Sequence, residues 1–296
     1  MNDTIRKMIR KTSKSPVLKL IPDKLYIQLI YYYHFHRFVN FKNPITFSEK
    51  LQWMKIYDRK PIYSDMVDKY KAKLFVSKII GEEYVVPTFG AWNSFEEIDF
   101  NSLPNRFVLK TNHDSGGMVI CRNKKNFDYN NAKKILNAHL KRNGFWYGRE
   151  WPYKNVKPLI IAEQLLENGG QFEKGTCLNV YKFFTFNGEP LIIQTIQNDK
   201  QPNETIDYFD CNWNLLRLKQ SFPNSDNPLP KPRSLPTMIS LVRELAKGFK
   251  HIRVDLYDVN GKVYFSEFTF YSDSGFTRFD PPEWDEKLGD LIKLEN

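Results

Sequence analysis

The chain has little cysteine, and the cysteines show no pairing pattern. Cys121, Cys177 and Cys211 are scattered, and no CxxC spacing occurs among the 296 residues. This argues against a disulfide framework and against a zinc site, and it fits a reducing cytoplasm. The five histidines include no HExxH motif, so a zinc site of that kind is also unsupported.

Long apolar runs are missing as well. No stretch approaches the ~18 apolar residues of a membrane-spanning helix, and Lys19, Asp23 and Lys24 interrupt the region where a signal peptide would lie. Hydrophobic residues nevertheless make up 41% of the chain, and aromatic residues 15%. We therefore expect a globular cytoplasmic protein with one large domain or two small ones.

Acidic residues are scarce near the N-terminus. Residues 1–50 contain ten Lys/Arg and three Asp/Glu, a net charge of +7, which leaves +3 of the total +10 for the remainder. Residues 16–41 follow an amphipathic helical pattern rich in Ile, Leu and Tyr. Two interpretations stay open for the arm at residues 1–45: it packs on the main body as a helical pair, or it binds weakly to an anionic membrane surface.

Two helices are predicted after this arm. Thr46 and Glu49 have the spacing of a capping box, with Thr46 as the cap of a helix that runs to about residue 56. A second helix is predicted over residues 64–80, and it carries Lys69.

A polar glycine loop follows a short apolar strand. Residues 106–110 end on Lys110, the loop at residues 111–117 contains Gly116 and Gly117, and residues 118–121 form a second strand. This is the outline of a phosphate-covering flap, in which backbone N–H groups approach phosphate oxygens and a lysine adds a charge. It is not a Walker sequence, and taken alone such a stretch is more often an ordinary hairpin.

A carboxylate interrupts the next apolar strand. Glu163 lies within residues 158–167, between Ala162 and Gln164. Because burial of an unpaired carboxylate is costly, Glu163 needs a partner, and an adenine amino group or a nearby lysine would supply one. Glu167 follows four residues later, at a position suited to ribose hydroxyls.

A β-hairpin is predicted over residues 252–269, around Asn260-Gly261. Because side chains alternate along a strand, the loop length decides which of them share a face. A two-residue loop would place Asp255 and Glu267 on opposite faces. A three-residue loop at residues 259–261 would pair Arg253 with Glu267 and leave Asp255 diagonal to Glu267. We predict the three-residue loop.

On this prediction Arg253, Asp255, Glu267 and Thr269 share one face. The two carboxylates would lie roughly 7 Å apart at Cβ, the spacing of a diagonal pair. Such a pair suits Mg²⁺, which is usually held by one or two carboxylates together with substrate phosphates. The alternative is a surface Arg253–Glu267 ion pair worth about 1 kcal/mol or less.

Three features, taken in order, resemble the ATP-grasp superfamily. They are the lysine-ended strand with its glycine flap, the Glu-x-x-x-Glu strand end, and the Arg-x-Asp hairpin followed by Glu-x-Thr. Residues 46–278 more closely resemble its TupA-like branch, typified by a teichuronopeptide biosynthesis protein and found in bacterial polysaccharide clusters. The matching phrases are Lys50-Leu51-Gln52-Trp53-Met54-Lys55, Phe107-Val108-Leu109-Lys110, Arg149-Glu150-Trp151, Lys154-Asn155-Val156-Lys157-Pro158, Tyr181-Lys182-Phe183-Phe184 and Glu267-Phe268-Thr269-Phe270-Tyr271.

The resemblance implies an α+β fold of the ATP-grasp type, in which two α+β subdomains grip ATP after a helical N-terminal region. The segments that we expect are a basic, aromatic arm (1–45), a helical lead-in (46–104), a small subdomain with the glycine flap (105–170) and a catalytic sheet subdomain with the Mg²⁺-binding hairpin (171–296).

The resemblance also implies an ATP-binding set. Lys69 and Lys110 match the phosphate-binding lysines of the superfamily, and Glu163 and Glu167 match its adenine and ribose contacts. The other implied ATP contacts are Ser115, Gly116, Gly117, Gln164, Leu165 and Lys182.

The implied catalytic and metal-binding residues lie on the hairpin. Asp255 and Glu267 match the Mg²⁺ ligands, and Arg253 would lie near the transferred phosphate. Many ATP-grasp ligases have Glu-x-Asn where this chain has Glu267-Phe268-Thr269. Thr269 offers one weaker oxygen, which affects the expected metal geometry.

The activity that the resemblance implies is ATP-dependent joining of a carboxylate to an amine through an acylphosphate, with Mg²⁺. The pathway context suggests that an amino acid or glutamyl unit is joined to a uronic acid of a cell-surface polysaccharide. Charge neutralisation by lysines and Mg²⁺ suits phosphoryl transfer. A glycosyltransferase is the competing enzyme class, although the sequence has no Asp-x-Asp. A polyanion-binding protein is the non-enzymatic alternative, and it leaves Asp255 and Glu267 unexplained. No nucleic-acid partner is expected.

Overall fold

The computed structural model describes residues 19–167, 178–199 and 201–294. Its strands form a four-stranded and a five-stranded sheet, both antiparallel, and helices pack on their faces. The α+β class predicted from the sequence is confirmed. Residues 1–18 of the predicted arm, and Cys177, lie outside the described residues, and the segment boundaries at 45, 104 and 170 stay a prediction.

Within the described residues the α-helices are α1 (Asp23–Phe35), α2 (Phe47–Tyr57), α3 (Ile62–Val67), α4 (Lys71–Ile80), α5 (Tyr129–Leu140), α6 (Phe145–Gly148), α7 (Leu235–Leu245) and α8 (Glu283–Leu291). The strands are β1 (Thr88–Trp92), β2 (Phe107–Thr111), β3 (Met118–Cys121), β4 (Ile160–Gln164), β5 (Val180–Phe186), β6 (Glu189–Gln197), β7 (Thr205–Asp210), β8 (His251–Val259) and β9 (Lys262–Thr269).

The four-stranded sheet has the order β1-β4-β2-β3. One of its faces is apolar, because Phe107 and Leu109 of β2 lie beside Ala162 of β4 and pack with Leu136 of α5 in one buried cluster. The opposite face carries the alternate residues of β2 and β4. The sheet therefore presents polar side chains on the face that α5 does not cover.

The five-stranded sheet has the order β7-β6-β5-β8-β9. Helix α4 packs on one face, where Phe75 meets Phe268 with ring centroids 5.8 Å apart. On the other face Phe47 of α2 packs edge-on against His251 at 5.0 Å. This second face is thus covered at the end where β8 begins, and farther along β8 it carries the candidate site.

Helix α1 packs on the main body along one side only. Ile27 and Tyr31 are fully buried and belong to a cluster that includes Phe276. On the opposite side Leu25 and Leu29 are 52% and 51% exposed. Packing on the body therefore accounts for one side of the predicted amphipathic helix and leaves the other side uncovered. In the part of the chain that the structure describes, no helix combines the length and apolar character of a membrane span.

The predicted loop of the β8–β9 hairpin is wrong. Val259 pairs with Lys262, so the turn contains two residues, and both Asn260 and Gly261 have positive φ, as a type I′ turn requires. The register then shifts by one residue between Asp255 and Leu256, where β9 has a bulge. As a result Asp255 lies directly opposite Glu267 on the same face of the sheet. The bulge, and not the predicted three-residue loop, places them there.

Two helix predictions have different outcomes. The capping box at Thr46 and Glu49 is confirmed, since both reciprocal hydrogen bonds are present. The single helix predicted over residues 64–80 is wrong, because the chain turns at Asp68 between α3 and α4. The Asp68 carboxylate accepts from the backbone N–H of Tyr70 at 2.9 Å and so favours the break.

Helix α8 approaches the start of α2 closely through Gly289. A Cβ atom at this position would lie 2.8 Å from the backbone nitrogen of Phe47. Lys50 of α2 donates from Nζ to the carbonyl oxygen of Gly289 at 2.8 Å. The absence of a side chain at Gly289 is what lets the two backbones meet.

We expect Gly289→Ala to lower the free energy of unfolding by about 1–3 kcal/mol, the usual cost of overpacking. Alanine favours a helix by about 1 kcal/mol over glycine, so a loss of stability would report the backbone contact and not helix propensity. Denaturant unfolding measures it. Glu286→Ala, at an exposed position of α8, is the control and should change stability little. An unfolding free energy of Gly289→Ala at or above that of the parent would contradict this account.

Candidate active site

One polar side chain from each strand of the five-stranded sheet lies in a single cross-strand row. The row consists of Tyr208, Gln194, Lys182, Asp255 and Glu267, and each neighbouring pair is directly opposite in the strand register. Residues that face each other in this way share one side of the sheet. The fold therefore brings a lysine and two carboxylates together from strands far apart in the sequence.

Arg253 neutralises Asp255. Its Nε and Nη2 atoms donate to the two carboxylate oxygens of Asp255 at 2.7 and 2.8 Å, and Nη2 also donates to Thr269 Oγ1 at 3.0 Å. Glu267 Oε1 lies 3.7 Å from Arg253 Nη2. The predicted alternative of a surface Arg253–Glu267 pair is not what the structure has, because Arg253 is buried and holds Asp255 in a bidentate pair.

The pKa values of the two carboxylates are shifted in opposite directions. Burial raises the pKa of Asp255, although Arg253 and Lys182 act in the opposite direction. Burial also acts to raise the pKa of Glu267, but Lys69 and Arg253 help to outweigh it, so the pKa of Glu267 is lowered. Glu267 is therefore an ionised carboxylate at neutral pH, and Lys69 Nζ lies 3.8 Å from its Oε2 atom.

Asp255, Glu267 and Thr269 are the residues that could hold Mg²⁺. Among the described residues, no group of three or more His, Cys, Asp or Glu side chains is arranged to bind a metal. Two facing carboxylates match what Mg²⁺ takes from a protein when nucleotide phosphates supply further ligands. The donor set therefore fits a metal that arrives with a nucleotide better than a metal held by the protein alone.

A second charged cluster lies on the four-stranded sheet. Val108 pairs with Glu163, so Lys110, two residues after Val108, shares a face with Glu163. Lys110 Nζ lies 2.5 Å from Glu163 Oε2, and Lys73 Nζ of α4 lies 2.6 Å from Oε1. These two lysines supply the partners that a carboxylate inside an apolar strand requires.

The charges of this cluster depend on one another. Burial acts to raise the pKa of Glu163, but Lys110 and Lys73 outweigh it and lower that pKa. Burial acts to lower the pKa of Lys110, but attraction to Glu163, Tyr257 and Glu267, together with the hydrogen bond to Glu163, outweighs it, so this pKa is raised. Burial lowers the pKa of Lys73 to about 8 in spite of Glu163. Sequence reasoning missed Lys73. The available signal was that the buried Glu163 needed a cation.

The remaining predicted nucleotide contacts follow Glu163 along the chain. Gln164 has an exposed side chain, and its backbone N–H donates to the carbonyl oxygen of Pro87 at 2.9 Å. Leu165 is half-buried, and Glu167 forms a close ion pair with Arg106. These residues therefore lie at and beyond the end of β4.

The glycine loop, residues 111–117, lies beside the Asp255–Glu267 pair. Lys69 Nζ donates to the carbonyl oxygen of Asp114 at 2.8 Å, so this lysine lies between the loop and Glu267. Ser115 and Gly116 are exposed at the tip, and Gly116 has φ +87°, which favours glycine. The structure thus brings Lys69, the loop and the hairpin carboxylates to one place.

The two clusters are close enough to affect each other. Lys110 contributes to lowering the pKa of Glu267 across the gap between the sheets. Burial raises the pKa of Tyr257, and Lys110, Glu163 and Glu267 all act on it. The charged groups on the polar faces of the two sheets therefore lie close enough to interact, and we call the region between these faces the cleft.

A buried support behind Arg253 was not recognised from the sequence. Arg253 Nη1 donates to Ser272 Oγ at 3.3 Å, and two residues later Ser274 Oγ donates to Glu150 in a close contact. Lys55 of α2 is fully buried and donates to the carbonyl oxygen of Ser274 at 2.7 Å. The available signal was that Lys55 and Glu150 both lie in phrases that resemble the TupA-like branch.

This support holds an unusual backbone. Asp273, Ser274 and Gly275 have φ values of 48°, 55° and 64°. Residues other than glycine rarely adopt this left-handed backbone conformation. Gln52 Nε2 donates to the carbonyl oxygens of Ser274 and Gly275, both at 3.0 Å. Helix α2 therefore fixes the loop that contacts Arg253 from behind.

Comparison with solved structures finds ligases of similar fold. The chain is similar to the L-amino acid ligase from Bacillus licheniformis, with 14% identity, coverage of 93% of this chain and 63% of that one, and a TM-score of 0.50. It also matches the D-alanine–D-alanine ligase from Bacillus anthracis complexed with ATP, with 16% identity, 70% and 54% coverage and a TM-score of 0.38. A third match is the ATP-grasp ligase PsnB complexed with minimal precursor, Mg and ADP, with 10% identity, 75% and 57% coverage and a TM-score of 0.40.

The chain spans less than two thirds of the length of each of these proteins. At 14% identity the likeness to the L-amino acid ligase shows the fold alone. The search of curated proteins gives no match. A family model described as TupA-like ATPgrasp matches residues 49–293, most of the chain. The chain therefore belongs to the TupA-like ATP-grasp family.

Proposed function

We propose that this protein is an ATP-dependent carboxylate-amine ligase that works through an acylphosphate. The observation that carries the proposal is that Asp255 faces Glu267 across the hairpin, with Arg253, Lys182 and Lys69 around them. Phosphoryl transfer needs carboxylates for the metal and cations for the phosphates more than it needs covalent chemistry by the protein. Family membership and the fold support an ATP-dependent ligase.

Five of the charged groups have a role in this mechanism. Lys69 and Lys110 bind the phosphates of ATP, and Asp255 and Glu267 would hold Mg²⁺, which would supply positive charge against the phosphates. Arg253 stabilises the phosphoryl group as the substrate carboxylate attacks it, which yields an acylphosphate and ADP. The amine then displaces phosphate to form the amide, while the glycine loop keeps water out.

We further propose that the acceptor is a uronic acid of a bacterial cell-surface polysaccharide, such as a capsule, and that the amine belongs to an amino acid or glutamyl unit. Resemblance to the TupA-like branch supports this assignment. Pairs of uronic acids and amino acids can be screened for ADP release, which should require both partners, ATP and Mg²⁺. Sugar transfer from a nucleotide sugar, without ADP release, would instead establish the glycosyltransferase class.

Binding alone separates the ligase from the polyanion-binding alternative. A ligand that binds the folded state raises the unfolding temperature by mass action. The ligase should be stabilised by ATP only when Mg²⁺ is present, because two carboxylates oppose the phosphates in its absence. A polyanion-binding protein would be stabilised equally well by ATP without the metal.

We also propose that the protein works in the cytoplasm and associates weakly with the inner face of the membrane. On and beside α1 five large apolar or aromatic side chains are between 47% and 84% exposed: Leu20, Leu25, Leu29, Tyr32 and Phe38. The sequence of residues 1–50 carries a net charge of +7. Apolar and aromatic side chains combined with basic residues suit an anionic lipid surface, where each basic residue contributes up to about 1 kcal/mol.

We expect Glu267→Gln to reduce ADP release by about 100-fold or more, because the loss of one electrostatic group in a phosphoryl-transfer site has effects of this size. Its side chain is 38% exposed, so the unfolding free energy should change little. Asp255→Asn should reduce ADP release as strongly and also lower stability, because it weakens the partner of the buried Arg253.

Glu189→Gln, the same change on β6 at an exposed carboxylate, is the control and should retain full activity. ADP release and denaturant unfolding are measured for all three variants. Parental ADP release by either site variant would overturn the assignment of these carboxylates.

Lys110→Met should weaken ATP binding by about 10-fold or more, because it removes a charge-assisted contact to the phosphates. Glu163 keeps Lys73 as its partner in this variant, so the protein should stay folded. The dissociation constant of Mg²⁺-ATP, measured calorimetrically, tests this. Lys78→Met, at an exposed position of α4, should bind ATP like the parent. An unchanged constant for Lys110→Met would return β2 and β3 to the ordinary-hairpin interpretation.

The double change Leu25→Glu with Leu29→Glu should abolish vesicle binding, because it removes two apolar side chains from the exposed side of α1 and adds negative charge. Co-sedimentation with vesicles that contain anionic lipid, at low and high salt, measures the binding, and the parent should bind only at low salt. Leu74→Glu, at a leucine 62% exposed on α4, is the matched control. Equal recovery of the parent in the supernatant with and without anionic vesicles at low salt would disprove membrane association.

A further inference from the structure

The glycine loop is fastened to the end of helix α5 through one carboxylate. Asp114 Oδ2 lies 2.5 Å from His139 Nδ1 in the last turn of α5, and Asp114 Oδ1 accepts from Thr111 Oγ1 in a close contact. Arg142 Nη1 lies 3.8 Å from Asp114 Oδ2. The side chains of Asp114 and His139 are 7% and 10% exposed, so this contact lies in a largely dry environment.

The histidine ring also lies against the loop backbone. A Cβ atom at Gly117 would come within 2.8 Å of both Cγ and Nδ1 of His139. Gly117 therefore has no side chain where the ring of His139 packs. A second tie joins the same parts, because His113 Nε2 lies 3.0 Å from the carbonyl oxygen of Arg142.

Asp114 connects this anchor to the cleft. Its side chain contacts α5, while its backbone carbonyl accepts from Lys69 Nζ at 2.8 Å, and the same Nζ lies 3.8 Å from Glu267 Oε2. A chain of contacts thus runs from His139 through Asp114 and Lys69 to the hairpin. A displacement of the loop at Asp114 would also displace the partner of Lys69.

The anchor also resolves a conflict of charge. A carboxylate in a loop that approaches phosphates would repel them, unless cations or hydrogen-bond donors compensate it. Here both oxygens of Asp114 are engaged, one by Thr111 and the other by His139 with Arg142 nearby. This arrangement makes the carboxylate suited to holding the loop and unsuited to binding a metal ion.

We propose that the Asp114–His139 contact is a latch that holds the glycine loop in place over the triphosphate, so that both are positioning residues for nucleotide binding. The role in nucleotide binding rests on the proposed function, whereas the anchoring of the loop does not. Because the latch acts at the loop, its loss should affect binding of the nucleotide more than binding of the acceptor.

The test uses Asp114→Asn and His139→Leu, separately and combined, in the full-length protein. Loss of a charge-assisted hydrogen bond predicts about a 10-fold or larger rise in the KM for Mg²⁺-ATP, with the KM for the acceptor within twofold of the parent. The double variant should be no worse than the more affected single variant, because both changes break one contact. Lys141→Ala, at an exposed position beside the end of α5, is the control and should leave both constants unchanged.

Amide hydrogen exchange of the nucleotide-free protein provides a second readout that needs no activity. The latch predicts that exchange at residues 112–118 accelerates about 10-fold or more in both single variants, while exchange in the five-stranded sheet stays at the parental rate. This also separates the two proposals. A parent that binds no ATP would refute the ligase assignment, and accelerated loop exchange in the variants would still establish the anchoring.

The latch would be overturned by parental loop exchange in both single variants. It would also be overturned by equal rises in the KM for ATP and the KM for the acceptor, or by effects that multiply in the double variant. Equal acceleration of exchange in the loop and in the five-stranded sheet would show general destabilisation and would refute a local latch. His139→Gln retains a side-chain donor, and at least partial recovery of the KM for ATP relative to His139→Leu would support the hydrogen bond as the cause.

Discussion

Side-chain alternation places Asp255 and Glu267 on the same face only because β9 contains one extra residue, Ser266, between the partners of Leu256 and Asp255. With the two-residue turn and no bulge, Glu267 would lie on the other side of the sheet. Bulges re-aim side chains, and here the bulge does so next to the candidate site. The bulge thus makes a carboxylate pair possible that the tight turn alone would have separated.

The cleft contains more cationic than anionic side chains. The carboxylates are Asp255, Glu267 and Glu163, and the cations around them are Lys69, Lys73, Lys110, Lys182 and Arg253. Each carboxylate has a cation within 4 Å. The surplus of cations would favour a polyphosphate anion once a metal ion separated its phosphates from the carboxylates, and the low exposure of most of these groups limits screening by salt.

Local sequence patterns predicted much of the fold and part of the site. The capping box at Thr46 was identifiable because it depends on neighbouring residues alone, and the buried position of Glu163 was clear from its apolar strand. The partners of Glu163 were harder to predict from the sequence, because Lys73 lies 90 positions earlier and contacts Glu163 only after α4 has packed on the sheet. The β9 bulge left no local signal either, because Ser266 does not differ in character from an ordinary exposed strand residue.

One local hydrogen-bond pattern and several tertiary contacts explain the other failures. Asp68 separates α3 from α4 by accepting hydrogen bonds from the backbone N–H groups of Tyr70 and Lys71, and the amphipathic pattern on both sides of it continued without interruption. The buried position of Lys55 could not be inferred from a helix whose apolar residues already accounted for its packed side. The row of Tyr208, Gln194 and Lys182 became visible only once the order of the strands was known. At Asp68 a local hydrogen-bond pattern overrides the helical pattern of the sequence. In the other two cases the interaction that determines the structure joins segments that are distant in the chain.

The bidentate pair of Arg253 and Asp255 has a consequence for how a cation would enter the site. The guanidinium occupies both oxygens of Asp255, so metal binding there would exchange one counter-ion for another. The net free energy of that exchange would be smaller than that of binding to an unpaired carboxylate, and the affinity for the free ion would be correspondingly low. A nucleotide would change this balance, because its phosphates would offer Arg253 a new anionic partner as the metal took the carboxylate. Metal and nucleotide would therefore bind cooperatively, with a single arginine as the group that couples them.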